Sequence, residues 1–429
     1  MANPRKILVI SNFGVSGELC KRFMAEGNQV KYFIKDPHSK DINDGLIKKV
    51  ASWEPHVPWA DLIVEDDAGG GLGRLCDGLR EDGKSVVGPS VYSDKLEMDR
   101  GFGAEEMKKA GMTVLPDWNF HSLREATAFV KKNPGRYVIK PSGKAQDEKA
   151  LTYVGKSEDG TDVVAMLENY QKKWGGKIQE IQVQTFAKGV EVAVTGFFNG
   201  KEFIQPHYIN FEYKKLMAGD LGPNSGETGT MGFWSDHSRI YEETVGKMAP
   251  MMRAGGYHGP LDVNCIATKE AVYPLEFTPR FGVPTIWLQM DGIKSKLGDF
   301  FDALGNGKRF NLDTEPGVQL CVVVAVAPFP YEDPEAFKKY SQDKEVEFKT
   351  PDMPGIYLAD VKMVDGKYKL AGNSGYACVC VGRGFTCEEA KEEAYKRVKS
   401  ITLADAFYRT DIGHRWHKDR DLLQSWNWL

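Results

Sequence analysis

The 429-residue sequence predicts a mixed α/β (α+β) fold, opening with a parallel α/β domain and ending in a small β-rich domain. Three observations carry this. Apolar strand-like runs alternate with loops and helical stretches over residues 6–90. Two short apolar runs joined by a polar turn stand at 257–285, the pattern of a β-hairpin. A strand-rich stretch then opens at Gly317. The expected divisions are 1–95, 96–315 (with a mobile lid subdomain, 118–190, inside it) and 316–429.

In the first division KILVI (6–10) reads as a buried strand, followed by SNFGVSGE and a helical stretch through Met24. QVKYFI (29–34) and ADLIVED (60–66) are further strands; Gly69 to Gly73 lead into a helix, and SVVGPS (85–90) closes the unit. The loop Gly14-x-x-Gly17 either lies beneath a phosphate at the helix start or is a plain tight turn, since the full dinucleotide fingerprint is missing.

Lys95 to Gly111 reads as one helix with Arg100 inside it. RYVIKPSG (136–143) is a strand with Val138 and Lys140 on one face, and the small polar loop after it carries Gly143, Lys144 and Lys149. A lysine on a strand beside such a loop suits a phosphate clamp; a solvated surface lysine is the plain alternative. IQEIQVQTF (178–186) and KGVEVAVTGFFNG (188–200) are strands, the latter with Glu191 on the face opposite Val192 and Val194. KKLMAGDLGPNSGETGTMGFW (214–234) reads as a loop that supplies backbone N–H groups and little packing, and Arg239 to Ala254 as a helix.

In the hairpin, Leu261, Val263 and Cys265 point away from Asp262 and Asn264, and Tyr273, Leu275 and Phe277 away from Glu276 and Thr278. Two carboxylates followed at once by Arg280 suit Mg²⁺ bridging nucleotide phosphates, against the alternative of an acidic solvated face.

Composition narrows the classes. Apolar content of 41% and charged content of 27% are those of a globular protein with room for two to four domains. A net charge of −4 excludes a nucleic-acid binder held by bulk charge but leaves room for a local pocket binding a phosphorylated metabolite. Seven scattered cysteines, with Cys378-x-Cys380 the only close pair, read as reduced thiols of a cytoplasmic protein. MANPRKILVI has no signal-peptide core, and no run approaches a membrane span. His414 and His417 on the basic tail read as surface histidines rather than a metal pair.

The order of GPSVYSDKLEMDRGF, RYVIKPSG, KGVEVAV, KKLMAGDLGPNSGETGTMG, LEFTPRFGVP, AYKRVKSI and YRTDIGHR resembles the phosphoribosylamine–glycine ligases of the ATP-grasp superfamily over nearly the whole chain. The resemblance implies an ATP-grasp fold and an ATP- and Mg²⁺-dependent reaction, with Mn²⁺ possible in its place. A carboxylate would be joined to an amine through an acyl-phosphate. By position, Arg100 and Lys140 would hold phosphates, and Gly143, Lys144 and Lys149 the loop closing on ATP. Gln184 and Phe186 would lie at the adenine hinge and Glu191 at the ribose, with Asp262, Glu276 and Thr278 as metal ligands. Arg280 and Lys215 would act at the acyl-phosphate. Lys214, Asp220, Asn224, Ser225 and Gly226, with Gly14, would face the acceptor. Expected partners are an amino acid and a phosphorylated amine, in a cytoplasmic monomer or homodimer.

The sequence also departs from that family. Thr278 stands for an asparagine, NFGVSGE for a GGREHA-type signature and DDAGGG for an acidic-proline segment. A GDPE ending becomes Gly282-Val283-Pro284-Thr285, and NTGGMG is stretched to NSGETGTMG. These changes fall on the side facing phosphoribosylamine and glycine. An altered substrate pair, such as an amino acid with a modified nucleotide or peptide amine, therefore stays open, as does an inactive nucleotide-binding homologue.

Overall fold

The computed structural model describes residues 4–142, 151–331, 333–349 and 354–429. The N-terminal sheet is parallel, in the order Gln29–Ile34, Lys6–Ser11, Leu62–Glu65, Val86–Val87. Its central strands are almost entirely apolar because both faces are covered, with Ile7, Leu8, Val9, Ile63 and Val64 fully buried.

A second, antiparallel sheet joins Asp117–Phe120, Glu180–Thr185, Tyr137–Ser142 and Tyr153–Val154. Helices Leu123–Lys132 and Thr161–Trp174 cover one face, where Ile139, Ile181 and Val183 pack with Val130, Val163 and Leu167. The two-residue alternation of strands therefore sends Lys140, Gln182 and Gln184 to the other face.

The third sheet has eight antiparallel strands: Val272–Thr278, Gly259–Ala267, Val190–Phe198, Phe203–Glu212, Gly229–Ser235, Val318–Ala325, Tyr376–Gly384 and Ile356–Leu358. The separate C-terminal unit expected from the sequence is found only in part. Val318–Ala325, Tyr376–Gly384 and Ile356–Leu358 extend the large sheet, Val318–Ala325 pairing directly with Gly229–Ser235, while Val361–Val364, Lys367–Leu370, Glu345–Phe348 and Ile401–Thr402 form a four-stranded sheet of their own. That inner strand comes from the stretch read as a loop. A Cβ at Gly229 would lie 2.6 Å from the Cys321 carbonyl, and one at Gly232 would lie 2.6 Å from the Tyr208 ring, so glycine here permits close approach.

Three other expectations need correction. Lys95 to Gly111 is two helices, Val91–Met98 and Arg100–Lys109, broken at extended Asp99, whose carboxylate accepts from the Phe102 N–H at 2.9 Å. Arg100 therefore opens a helix instead of lying inside one. Arg239 to Ala254 is likewise broken, at Thr244, where φ −126° and ψ −100° are not helical. In the hairpin, register slips between Asn264 and Cys265, so that Asn264 faces Glu276 and Cys265 faces Pro274. Leu275 is the extra residue of a β-bulge, and Pro274 replaces it on the buried side.

Candidate active site

Beyond the bulge, the hairpin strand Val272–Thr278 presents Glu276 opposite Asn264 and Thr278 opposite Asp262. Continuing across the sheet, Asp262 is opposite Thr195, and Asn264 opposite Ala193. Glu191, two residues further along that strand, shares their face. Asn210 and Glu212 extend the polar strip on the next strand. One face of the eight-stranded sheet thus collects Glu276, Asn264, Asp262, Glu191 and Glu212.

Cations meet this strip. The Lys214 ammonium pairs with Glu191 at 2.8 Å and Glu212 at 3.3 Å, and lies 3.4 Å from the Asn264 side-chain carbonyl. Burial works against the charged form of Lys214, but Glu191, Glu212 and Glu276 outweigh it and raise its pKa well above the ordinary lysine value. Burial likewise favours the neutral Glu191 carboxyl, yet Lys214 holds its pKa below the usual carboxylate value. Arg100, at the start of its helix, stands 3.9 Å from Glu276.

Lys140 comes from the other sheet. Its ammonium donates to the Gln184 side-chain carbonyl at 3.1 Å. Burial draws its pKa down to about 8, with Glu276 opposing and Arg100 and Lys214 adding to the shift. Lys140 thus feels Glu276 and Lys214 of the large sheet and the Arg100 helix start, so the polar faces of the two sheets lie near one another. At the edge of the small sheet the Arg136 guanidinium lies 3.5 Å over the Phe186 ring, whose N–H is tied to the Arg136 carbonyl. Gly143, Lys144 and Lys149 lie outside the described residues.

Arg280 closes the far end. Its guanidinium pairs with Glu97 at 3.0 Å and Asp67 at 3.8 Å, which fastens the DDAGGG loop of the N-terminal domain to the cleft. The sequence pattern marks neither Glu97 nor Glu212, and it sets Asn264 on the polar face of the hairpin without marking it as a ligand. The alternation Tyr208, Asn210, Glu212 in the strand Phe203–Glu212 is the signal that points to Glu212.

The donor set suits a phosphate-bound divalent cation: hard oxygens of Glu276 and Asn264 face each other, ringed by Arg100, Lys140 and Lys214. Among the described residues no group of three or more His, Cys, Asp or Glu side chains converges to hold a metal by itself. Of the three expected ligands, Asp262 is turned toward the neighbouring strand. It accepts from the Thr195 hydroxyl at 2.7 Å, and burial, with Glu212 beside it, raises its pKa above the usual carboxylate value. Asn264, not Asp262, faces Glu276.

The acceptor-side expectations divide. Lys215 opens the small hairpin Lys215–Met217/Leu221–Asn224, and no hydrogen bond or ion pair of its side chain is found among the described residues. Asp220 is turned to Arg409 at 2.7 Å, because a fully buried guanidinium requires counter-charge. Ser225 caps the Lys214 carbonyl through its N–H at 2.8 Å and its hydroxyl at 3.1 Å; Asn224 pairs in register with Lys215, and Gly226 takes φ +78°. The Gly14 loop is a packed turn. Gly14 has φ +86°, and the nearby Ser11 and Ser16 hydroxyls both donate to Asp66 at 2.5 Å.

Two sheets that close polar faces on a cleft rich in cations and carboxylates define an ATP-grasp fold. A phosphoribosylamine–glycine ligase from Thermotoga maritima superposes with a TM-score of 0.73 at 22% identity, covering 95% of this chain and 99% of that one. The biotin carboxylase domain of a Hydrogenobacter thermophilus 2-oxoglutarate carboxylase, solved with MgADP, ADP and bicarbonate, gives 0.64 at 14% identity over 95% and 92%. The family model for the ATP-grasp (A) domain of phosphoribosylglycinamide synthetase matches residues 99–286, and that for its C domain residues 319–415. The chain belongs to the phosphoribosylglycinamide synthetase family. It is 25% identical over 435 residues to a phosphoribosylamine–glycine ligase of Streptococcus pneumoniae, covering 96% of this chain and 99% of that one. A Clostridium acetobutylicum ligase of the same name is 26% identical over 368 residues, 84% and 83% of the two chains.

Proposed function

We propose that this chain is an ATP-dependent ligase that joins the carboxylate of glycine to the amine of phosphoribosylamine, giving glycinamide ribonucleotide for purine biosynthesis. The observation that carries the reading is the juxtaposition of Lys140, Arg100 and Lys214 around Glu276 between two sheet faces, in a chain of this family. Lys140 and Arg100 hold the phosphates of ATP, and Phe186 and Gln184 line the base. Glu276, with Asn264 and Thr278, would hold Mg²⁺, which when bound neutralises phosphate charge.

Phosphoryl transfer asks mainly for position and charge, so no nucleophilic side chain is required. Lys214, Lys215 and Arg280 draw the substrate carboxylate toward the γ-phosphate and stabilise the charge that spreads over it. The acyl-phosphate so formed is attacked by the amine, which forms the amide and releases phosphate. The cleft walls keep water from that intermediate.

The test is incubation with ATP, Mg²⁺, glycine and phosphoribosylamine. ADP and phosphate should form in step with glycinamide ribonucleotide, and Glu276→Ala should be silent. No turnover with this pair, while another amine supports ADP release, would overturn the substrate assignment.

One observation favours a second reading, an amino acid joined to a different amine. The Ser11 and Ser16 hydroxyls and the Asn12 N–H, at the mouth of the parallel sheet, are engaged by the Asp66 carboxylate. They are thus spent on a fixed anion where a phosphate would need them. Under this reading an unphosphorylated amine competes on equal terms with phosphoribosylamine.

A further inference from the structure

Glu227 lies in NSGETGTMG, the stretch that is longer than its counterpart in the resembling family, and its carboxyl is buried. The Thr285 hydroxyl donates to it at 3.5 Å, the outer limit of a hydrogen bond, and no other bond to it is found among the described residues. The next residue, Thr228, is tied to the Tyr213 carbonyl through its N–H and its hydroxyl, both at 2.9 Å, which sets Glu227 beside the Glu212 and Lys214 end of the polar strip. Burial, with Glu212 and Asp262 near, raises the Glu227 pKa well above the usual carboxylate value against the pull of Lys214. Thr285 is the position at which the chain lacks the final carboxylate of the GDPE pattern. The inserted loop thus brings a carboxylate to the residue that has lost one.

A second observation points to a ligand there. Thr230 lies directly opposite Glu212, and Asn210 and Tyr208 precede Glu212 on the same face. Among the described residues, both amide atoms of Asn210 and the hydroxyls of Thr230 and Tyr208 are fully buried with no hydrogen-bond partner. Glu227 is close enough to act on Tyr208 electrostatically. Native interiors rarely leave several such atoms unpaired in one place, and a small polar molecule satisfies them.

We propose that Glu227 receives the amino group of the amino-acid substrate, with Asn210 and Thr230 completing the pocket and Lys214 drawing the carboxylate. This rests on the ligase reading above. It adds a residue of this chain's own loop as the determinant of amino-acid binding, and a small α-amino acid as the class bound.

Glu227→Gln keeps shape and removes the ionisable carboxyl, which burial holds toward its neutral form until an ammonium group pairs with it. In steady-state ADP release, its KM for glycine should rise at least about tenfold while KM for ATP stays within about twofold. Acetate, which has the carboxylate without the amino group, is the probe of selectivity. The preference for glycine over acetate should fall by a similar factor in the variant. Adding Thr285→Glu to Glu227→Gln should recover part of the glycine KM. An active wild type whose glycine KM and selectivity survive Glu227→Gln overturns this inference alone. A wild type silent with glycine and phosphoribosylamine, in the presence of ATP and Mg²⁺, overturns the ligase reading with it.

Discussion

Lys140 and Glu276 answer each other from different sheets, and each is expected to be indispensable for a different reason. Lys140→Met removes a phosphate-facing charge and should lower kcat/KM by about 10²-fold or more, with KM for ATP raised. Glu276→Gln keeps a neutral oxygen beside Arg100 but weakens the metal, so its loss should be partly recovered at high Mg²⁺; ADP-release kinetics check both.

His207 makes a separate prediction. It is buried, its ring nitrogens engage Gln205 at 3.0 Å and Ser238 at 2.7 Å, and the ring stacks on Tyr241 at 4.3 Å. Burial, with His237 nearby, depresses its pKa from 6.5 to about 4. Below pH 6.5 the unfolded chain therefore takes up a proton that the folded chain refuses, and stability falls as pH drops. Between about pH 6.5 and 4 the wild type should lose about 3 kcal/mol more than His207→Gln in urea unfolding. At this scale Lys140, Glu191 and Arg280 were legible, since strand alternation and the motifs they sit in mark them. Glu97 was not, because nothing local says that a helix residue will meet an arginine 183 positions away.

Among the elements, the small hairpin after Lys214 is held from the C-terminal tail. Arg409, fully buried, pairs with Asp411 at 2.6 Å and Asp220 at 2.7 Å and donates to the Lys215 carbonyl at 3.1 Å. Asp411 in turn accepts from the Gly219 N–H at 2.9 Å. Asp411→Ala should cost about 3 kcal/mol, because the buried guanidinium keeps only Asp220. Hydrogen exchange at Gly219 should rise before the chain unfolds as a whole. The tail read as basic and aromatic, but the burial of Arg409 needed the fold. Helix breaks were hard to read for a similar reason. At Asp99 the side chain caps the next helix, and at Thr244 the backbone leaves the helical region while both neighbours stay helix-compatible in sequence. The bulge at Leu275 is a third case, since an apolar–polar alternation carries no mark of a skipped residue.

For the whole molecule, the strand–helix alternation of the N-terminal domain and the lysine-bearing sheet could be read from local periodicity. The eight-stranded sheet could not. Its decisive contact pairs Gly229–Ser235 with Val318–Ala325, strands remote in sequence, one of them disguised by glycine. The cleft depends on the two sheets staying opposed, so ligand that bridges them should stabilise the chain by mass action. An ATP analogue at 100 times its Kd should add about 2.7 kcal/mol, and removing Mg²⁺ with a chelator should reduce that gain, as followed by thermal denaturation.

The most direct measurement is a crystal structure with a non-hydrolysable ATP analogue and Mg²⁺. The phosphates should lie between Lys140 on one sheet and Glu276 on the other, with Arg100 and Lys214 beside them and the base against Phe186. A nucleotide bound elsewhere, or Lys140 and Glu276 held apart by the bound molecule with neither touching it, would contradict the account.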